Sequence, residues 1–317
     1  MPNNRTLLFM LCFAPLFAQT PPEIPSESVP NFLKLPADRY LGEAAGVAVN
    51  SKGHIFVYHR GARTQLLEFD GDGQFTREIG KDLYGFVFAH VVRVDKDDNI
   101  WCVDEGANMV IEFNPQGRVL MVLGRKAEAV ESAAAHAETP PARDNLFNRP
   151  TDIAWDASGN SYISDGYGNS RIAKVDKDGN WIKSWGQRGT EPGEFHTPHS
   201  IAVDASGKVY VGDRENKRIQ VFDGDGAFLK QWTNVGAPWA ICITPGPKQF
   251  LYSSDSVPGR IYKTDLDGNV LGVFGKAGKR PGQFGWVHEI ACPSENTLYV
   301  GEILNWRVQK LLLHPAQ

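Results

Sequence analysis

This chain of 317 residues has little cysteine and methionine, four of each, and no surplus of basic charge. Its 33 Lys and Arg stand against 37 Asp and Glu, a formal net charge of −4, so it lacks the electrostatic footprint of a nucleic-acid-binding surface. Long apolar runs are missing, with one exception near the start. Leu7 to Phe17 is apolar, Arg5 precedes it, and Ala18 offers a small residue before Gln19. That is the pattern of a cleaved export signal, too short for a membrane span. Residues 1–18 are therefore expected to be removed and the mature protein to be secreted or periplasmic, with no membrane span. Cys102, Cys242 and Cys292 would remain, too few for a disulfide framework. Cys242 and Cys292 stand in matching strands of adjacent repeats but one residue out of phase. Alternation along a strand is expected to point them apart, so no bridge is expected.

What the chain does have is turns and a repeat. Gly 32 and Pro 20, with aromatic residues well represented, fit an all-β protein. Residues 19–40 are rich in proline and polar residues and read as an exposed lead-in, in which Phe32–Leu35 is a short strand candidate. From residue 41 to 317 one motif recurs six times, starting near Gly46, Val91, Asp152, Ser200, Ala240 and Glu289. The copy at Ser200 shows it best: Ile201-Ala202-Val203, a turn at Asp204 to Gly207, Val209-Tyr210-Val211, a polar loop from Asp213, Ile219 to Phe222, then Phe228 to Trp232. Four short strands with Asp-Gly turns at a period near 45 residues indicate propeller blades. The expected fold is a six-bladed β-propeller. The sixth copy has no outer strand of its own, so the ring is expected to close with strands from both termini, Phe32–Leu35 pairing the strand at Val308 to Leu313. Residues 125–149 interrupt the period as an Ala- and Glu-rich surface insertion.

The first strand of a blade lines the central channel, so one repeat position forms a ring about the axis. At that position stand Ala45, His90, Thr151, His199, Trp239 and His288. Histidines at alternate copies place three imidazoles about a threefold axis, the ligand set of a zinc site with an open position. Nitrogen ligands favour zinc over calcium, with iron, cobalt and nickel left open. His54, His59, His136, His196 and His314 fall outside this register and are expected to be surface or supporting groups. The loop after each second strand carries a recurring acid and, in three copies, an Asn-x-Arg (Asn169 to Arg171, Asn216 to Arg218, Asn305 to Arg307), both expected to be blade architecture. Arg60, Tyr167 and Arg214 vary where the scaffold repeats. Two guanidinium groups suit a carboxylate substrate, and a tyrosine beside a metal and an arginine suits a base.

The Asn-x-Arg repeats resemble NHL-type propellers. Tyr58-His59-Arg60-Gly61, Ser164 to Ile172, Thr197-Pro198-His199-Ser200 and Asp213-Arg214-Glu215-Asn216 resemble, more closely, the peptidyl-α-hydroxyglycine α-amidating lyase family, over about residues 41–313. The resemblance implies zinc at His90, His199 and His288, Tyr167 as base with Arg60 beside it, and Arg214 as a further active-site arginine. It also implies a structural calcium held by the backbone carbonyls of Val47 and Val92 and by Glu289, where the family has Asp. Gly168, Tyr210 and Val221 stand where the animal enzymes have cysteines. No copper monooxygenase domain lies within the chain, so the hydroxylated substrate is expected to come from elsewhere. The implied activity is lysis of a peptidyl- or N-acyl-α-hydroxyglycine to an amide and glyoxylate, by a monomer. The alternatives are a metal-dependent propeller hydrolase or lyase for another hydroxy acid or lactone, and a non-catalytic secreted NHL-type binding propeller.

Overall fold

A computed structural model describes residues 21–126 and 142–314 of the chain. The export-signal reading, His136 and most of the 125–149 insertion lie outside the described residues. Six sheets of four antiparallel strands each form a blade. Their inner strands are Glu43–Val49, Ala89–Val94, Asp152–Trp155, Pro198–Val203, Pro238–Ile243 and Val287–Ser294. Each touches the inner strand of both neighbours, and the last touches the first, so the sheets close into the six-bladed ring that the repeat requires.

Two local devices repeat because the sequence repeats. At the end of an inner strand an aspartate caps the hairpin turn: Asp156 Oδ1 accepts the N–H groups of Ser158 and Asn160 at 2.9 and 3.0 Å, and Gly159 takes φ 86°. The turn at Asp204 repeats this with Ser206, Lys208 and Gly207. An Asx turn followed by a left-handed residue suits the twist of a hairpin. At the opposite end, the Asn-x-Arg arginines bind the recurring acid: Arg171 to Asp165 at 3.0 Å, Arg218 to Asp213 at 2.7 Å and Arg307 to Glu302 at 2.7 Å. Each also donates to carbonyls of the loop entering its own blade, such as Thr190 and Glu194 for Arg218. The motif is blade architecture.

The ring is closed by strands from both termini, but not by Phe32–Leu35. Ser26–Ser28 pairs with Arg307–Leu313 in the sixth blade. A closing edge needs backbone donors and acceptors, which Ser26–Ser28 supplies. Phe32, Leu33 and Leu35 instead pack into the core shared by the sixth and first blades, with the Phe32 ring 5.7 Å from that of Tyr299. Lys34 makes only an isolated bridge to Gln74. The lead-in thus crosses three blades, from Val273 of the fifth through the sixth to Gln74 of the first.

The expectation of no disulfide is also corrected: Cys242 and Cys292 are bonded, with Cα atoms 6.1 Å apart. Neighbouring blades meet through opposite faces. Ala202 of blade four packs with Ile241 of blade five, and Ala240 of blade five packs in the same cluster as Ile290 of blade six. A one-residue offset between matching strands is therefore what brings two side chains together across an interface. Alternation was correct within a strand; the relation between blades reverses it.

Candidate metal centre and active site

His90, His199 and His288 each stand at the mouth end of an inner strand, all but fully buried. Their candidate ligand nitrogens all lie within 4.8 Å of one another, and they are the one such group of His, Cys, Asp and Glu among the described residues. Each Nδ1 faces a backbone carbonyl of the next blade: His90 to Thr151 at 2.5 Å, His199 to Trp239 at 2.6 Å and His288 to Ala45 at 2.8 Å. The acceptors are the three non-histidine copies of the same repeat position. A carbonyl can only accept, so Nδ1 carries the proton and each Nε2 of the neutral ring presents a lone pair. Burial, with the other cationic groups nearby, holds all three pKa values low, that of His288 at about 3 and those of His90 and His199 well below the usual range. Three neutral imidazoles, oriented by carbonyls and aimed at one point, are a donor set that fits zinc.

Tyr167 reaches into this ring. Its hydroxyl is 3.0 Å from His199 Nε2 and 3.4 Å from His90 Nε2. The arginine that bonds it is Arg214, at 3.4 Å. Arg60, expected beside the tyrosine, is held by Ala89 O at 2.7 Å and Glu43 at 3.2 Å and lies over the Phe88 ring, 3.8 Å from its centroid. Burial pushes the Tyr167 pKa up, while the positive charges of Arg214 and Arg60 pull it down and Glu105 raises it further. The protein groups alone therefore raise it; the role of base expected for this tyrosine invokes a metal beside it as well as an arginine.

Sequence reasoning missed Arg149, whose guanidinium carbon lies 4.6 Å from the Tyr167 ring centroid and which is paired with buried Glu105. It ends the insertion, so no repeat position flagged it. Its one signal was Arg149-Pro150-Thr151, directly before a ring position. Arg149, Thr197 and Trp286 each stand two residues before a ring position with φ of 60°, 63° and 57°. Left-handed backbone is uncommon for such side chains and collects at functional sites.

Deeper in the channel, Arg93 donates to Asp152 at 2.6 and 2.9 Å and forms an ion pair with Glu289 at 2.9 Å. Glu289 Oε2 is buried without a partner. Burial raises the Glu289 pKa well above the usual range, with Arg93 opposing it and Asp152 adding to it. One guanidinium against two carboxylates leaves one negative charge, which a proton or a further cation would offset. The free Oε2 is a ligand that fits calcium.

An NHL repeat model matches residues 195–222. Mouse peptidyl-glycine alpha-amidating monooxygenase is 28% identical over 319 residues, covering 86% of this chain and 30% of the mouse protein. A probable peptidyl-alpha-hydroxyglycine alpha-amidating lyase of Caenorhabditis elegans is 26% identical over 311 residues, covering 86% of this chain and 83% of the relative. The relatives include α-amidating lyases. The chain spans about a third of the mouse relative but most of the worm lyase, the length of one propeller. Among solved structures, virginiamycin B lyase from Staphylococcus aureus shares the fold with a TM-score of 0.61 at 14% identity, covering 92% of this chain and all of that one. No helix of the described residues is long and apolar enough to cross a membrane.

Proposed function

We propose that this protein is a zinc-dependent lyase that cleaves the C–N bond of a peptidyl- or N-acyl-α-hydroxyglycine, giving an amide and glyoxylate. The observation that carries the reading is the Tyr167 hydroxyl set against two of three converging imidazoles and one guanidinium. His90, His199 and His288 would hold the zinc. Bound there, zinc would supply Lewis acidity toward the substrate's α-hydroxyl. Tyr167, acting as the phenolate, takes the hydroxyl proton, the carbon–oxygen bond becomes the carbonyl of glyoxylate, and the carbon–nitrogen electron pair leaves on the amide nitrogen, which receives the proton back from Tyr167. Arg214 steadies the phenolate and lies on the side from which it can bind the substrate carboxylate, with Arg60 as the second cation. Glu105, shared by Arg149 and Arg60, keeps that wall from carrying excess positive charge.

The relatives' names and the convergence of the three imidazoles with Tyr167 support this assignment. The inter-blade disulfide supports export to an oxidising compartment, secreted or periplasmic, and a monomer is part of the proposal. A calcium held by Val47, Val92 and Glu289 completes the proposal. The decisive assay is glyoxylate release from a synthetic N-acyl-α-hydroxyglycine by protein stripped of metal and then reloaded with zinc. Release that depends on zinc is expected; folded, zinc-loaded protein that releases none would sink the lyase reading. Adding calcium to the zinc-loaded form should raise its melting temperature. Identical melting curves would remove calcium from the proposal.

A further inference from the structure

The mouth of the channel has two unlike sides. Arg60, Arg149 and Arg214 stand on the side of blades one, three and four. On the side of blades five and six the indoles of Trp239 and Trp286 pack together, ring centroids 5.2 Å apart, and Trp239 lies 5.5 Å from His199 and 6.2 Å from His288. Trp286 is 38% exposed, whereas Thr197, at the matching position of blade four, is buried. Its carbonyl accepts from Ile303 at 3.1 Å and that of Gly285 from Leu304 at 3.0 Å, joining it to the hairpin that carries Leu304 and Trp306, 54% and 61% exposed. In blade four the positions matching Ile303, Leu304 and Trp306 are Arg214, Glu215 and Lys217. One scaffold thus carries charged loops on one side of the mouth and apolar ones on the other, and the two meet where the Arg214 guanidinium lies over Trp239, 4.6 Å from its ring centroid. Exposed apolar surface that continues from a reactive centre marks binding.

We propose that Trp239 and Trp286, continued by Leu304 and Trp306, receive the acyl arm of the substrate while its carboxylate faces the arginines. The preferred substrates are then those whose acyl group is apolar, whether an aliphatic chain or the apolar end of a peptide. This rests on the lyase reading for the identity of the reacting end. It does not rest on it for the wall, which binding without turnover can test.

The experiment has two series on the zinc-loaded protein. N-Acyl-α-hydroxyglycines with acetyl, hexanoyl and dodecanoyl groups, and dipeptide analogues with Phe or Asp before the hydroxyglycine, are compared by kcat/KM. The corresponding N-acylglycines, which lack the hydroxyl, are titrated by quenching of indole fluorescence. Affinity and kcat/KM should rise with chain length, by up to about fourfold per buried methylene. Trp286→Ala should flatten the dependence, and Trp286→Leu should restore part of it. A gain that stops at hexanoyl while Phe exceeds Asp by tenfold or more identifies the peptide as the source of the arm; a gain that continues to dodecanoyl identifies the aliphatic chain. Acylglycines that bind with chain-length dependence beside hydroxyglycines that are not cleaved would keep the wall and reject the lyase. Equal affinity for acetyl and dodecanoyl forms, or Asp equal to Phe with no length effect, would overturn the proposal.

Discussion

Replacing Arg93 with methionine isolates the ion cluster at the centre of the ring. The guanidinium links five blades: from its own strand in blade two it reaches Asp152 in blade three, Ser200 Oγ in blade four at 3.4 Å, Ile241 O in blade five at 3.3 Å, and Ile290 O and Glu289 in blade six at 3.3 and 2.9 Å. The side chains of Asp152 and Glu289 are 0% and 1% exposed, so losing the cation leaves two carboxylates that water cannot reach. Removing one partner of such a buried pair costs about 3–5 kcal/mol. With an unfolding entropy of about 2.1 cal/mol/K per residue, the melting temperature should fall by about 4–8 °C. Differential scanning calorimetry of the zinc-loaded protein measures this. The triple variant Arg93→Met, Asp152→Asn, Glu289→Gln should recover most of the loss, because no buried charge is left unpaired. An Arg93→Met protein that melts within 1 °C of the parent would refute the account of the cluster as the hub of the ring.

Three further outcomes are expected. Tyr167→Phe should lower kcat on an N-acyl-α-hydroxyglycine by about 10²–10⁴-fold with little change in KM; a loss confined to KM would make the tyrosine a binding group. Cys242→Ser, which opens a link between residues 50 apart, should cost about 4 kcal/mol of stability in urea unfolding, and a reducing agent should have the same effect on the parent but none on the variant. Burial and the nearby Asp95 raise the Glu112 pKa from 4.5 to about 7, so the folded state holds this proton more tightly than the unfolded one. Its stabilising effect is complete below about pH 4.5 and is lost as pH rises through about 7. Glu112→Gln should therefore match the parent near pH 4 and exceed it by about 1–3 kcal/mol at pH 8; a gap that widened toward acid pH would contradict the sign.

The sequence alone determined whatever depends on neighbours along the chain. Alternating apolar runs and Asp-Gly turns define strands by local physics, and counting them gives six blades. Because one repeat position must face the axis, His90, His199 and His288 could be placed together before any coordinates, and their alternation with Ala45, Thr151 and Trp239 already contained the acceptors for Nδ1. Tertiary structure decided what depends on one blade meeting another. Opposite faces come into contact there, so Cys242 and Cys292 bond despite their offset. Closure drew on the backbone of Ser26–Ser28, whereas the more apolar Phe32–Leu35 was drawn into the core. Arg214 reaches the Tyr167 hydroxyl while Arg60 is tied to Ala89 and Glu43. Arg149 arrives from an insertion that has no repeat to mark it, and Trp286 owes its place in the wall to a left-handed turn. Periodicity records which residues share a ring, but distances between rings, and between a ring and an insertion, arise only when the circle closes.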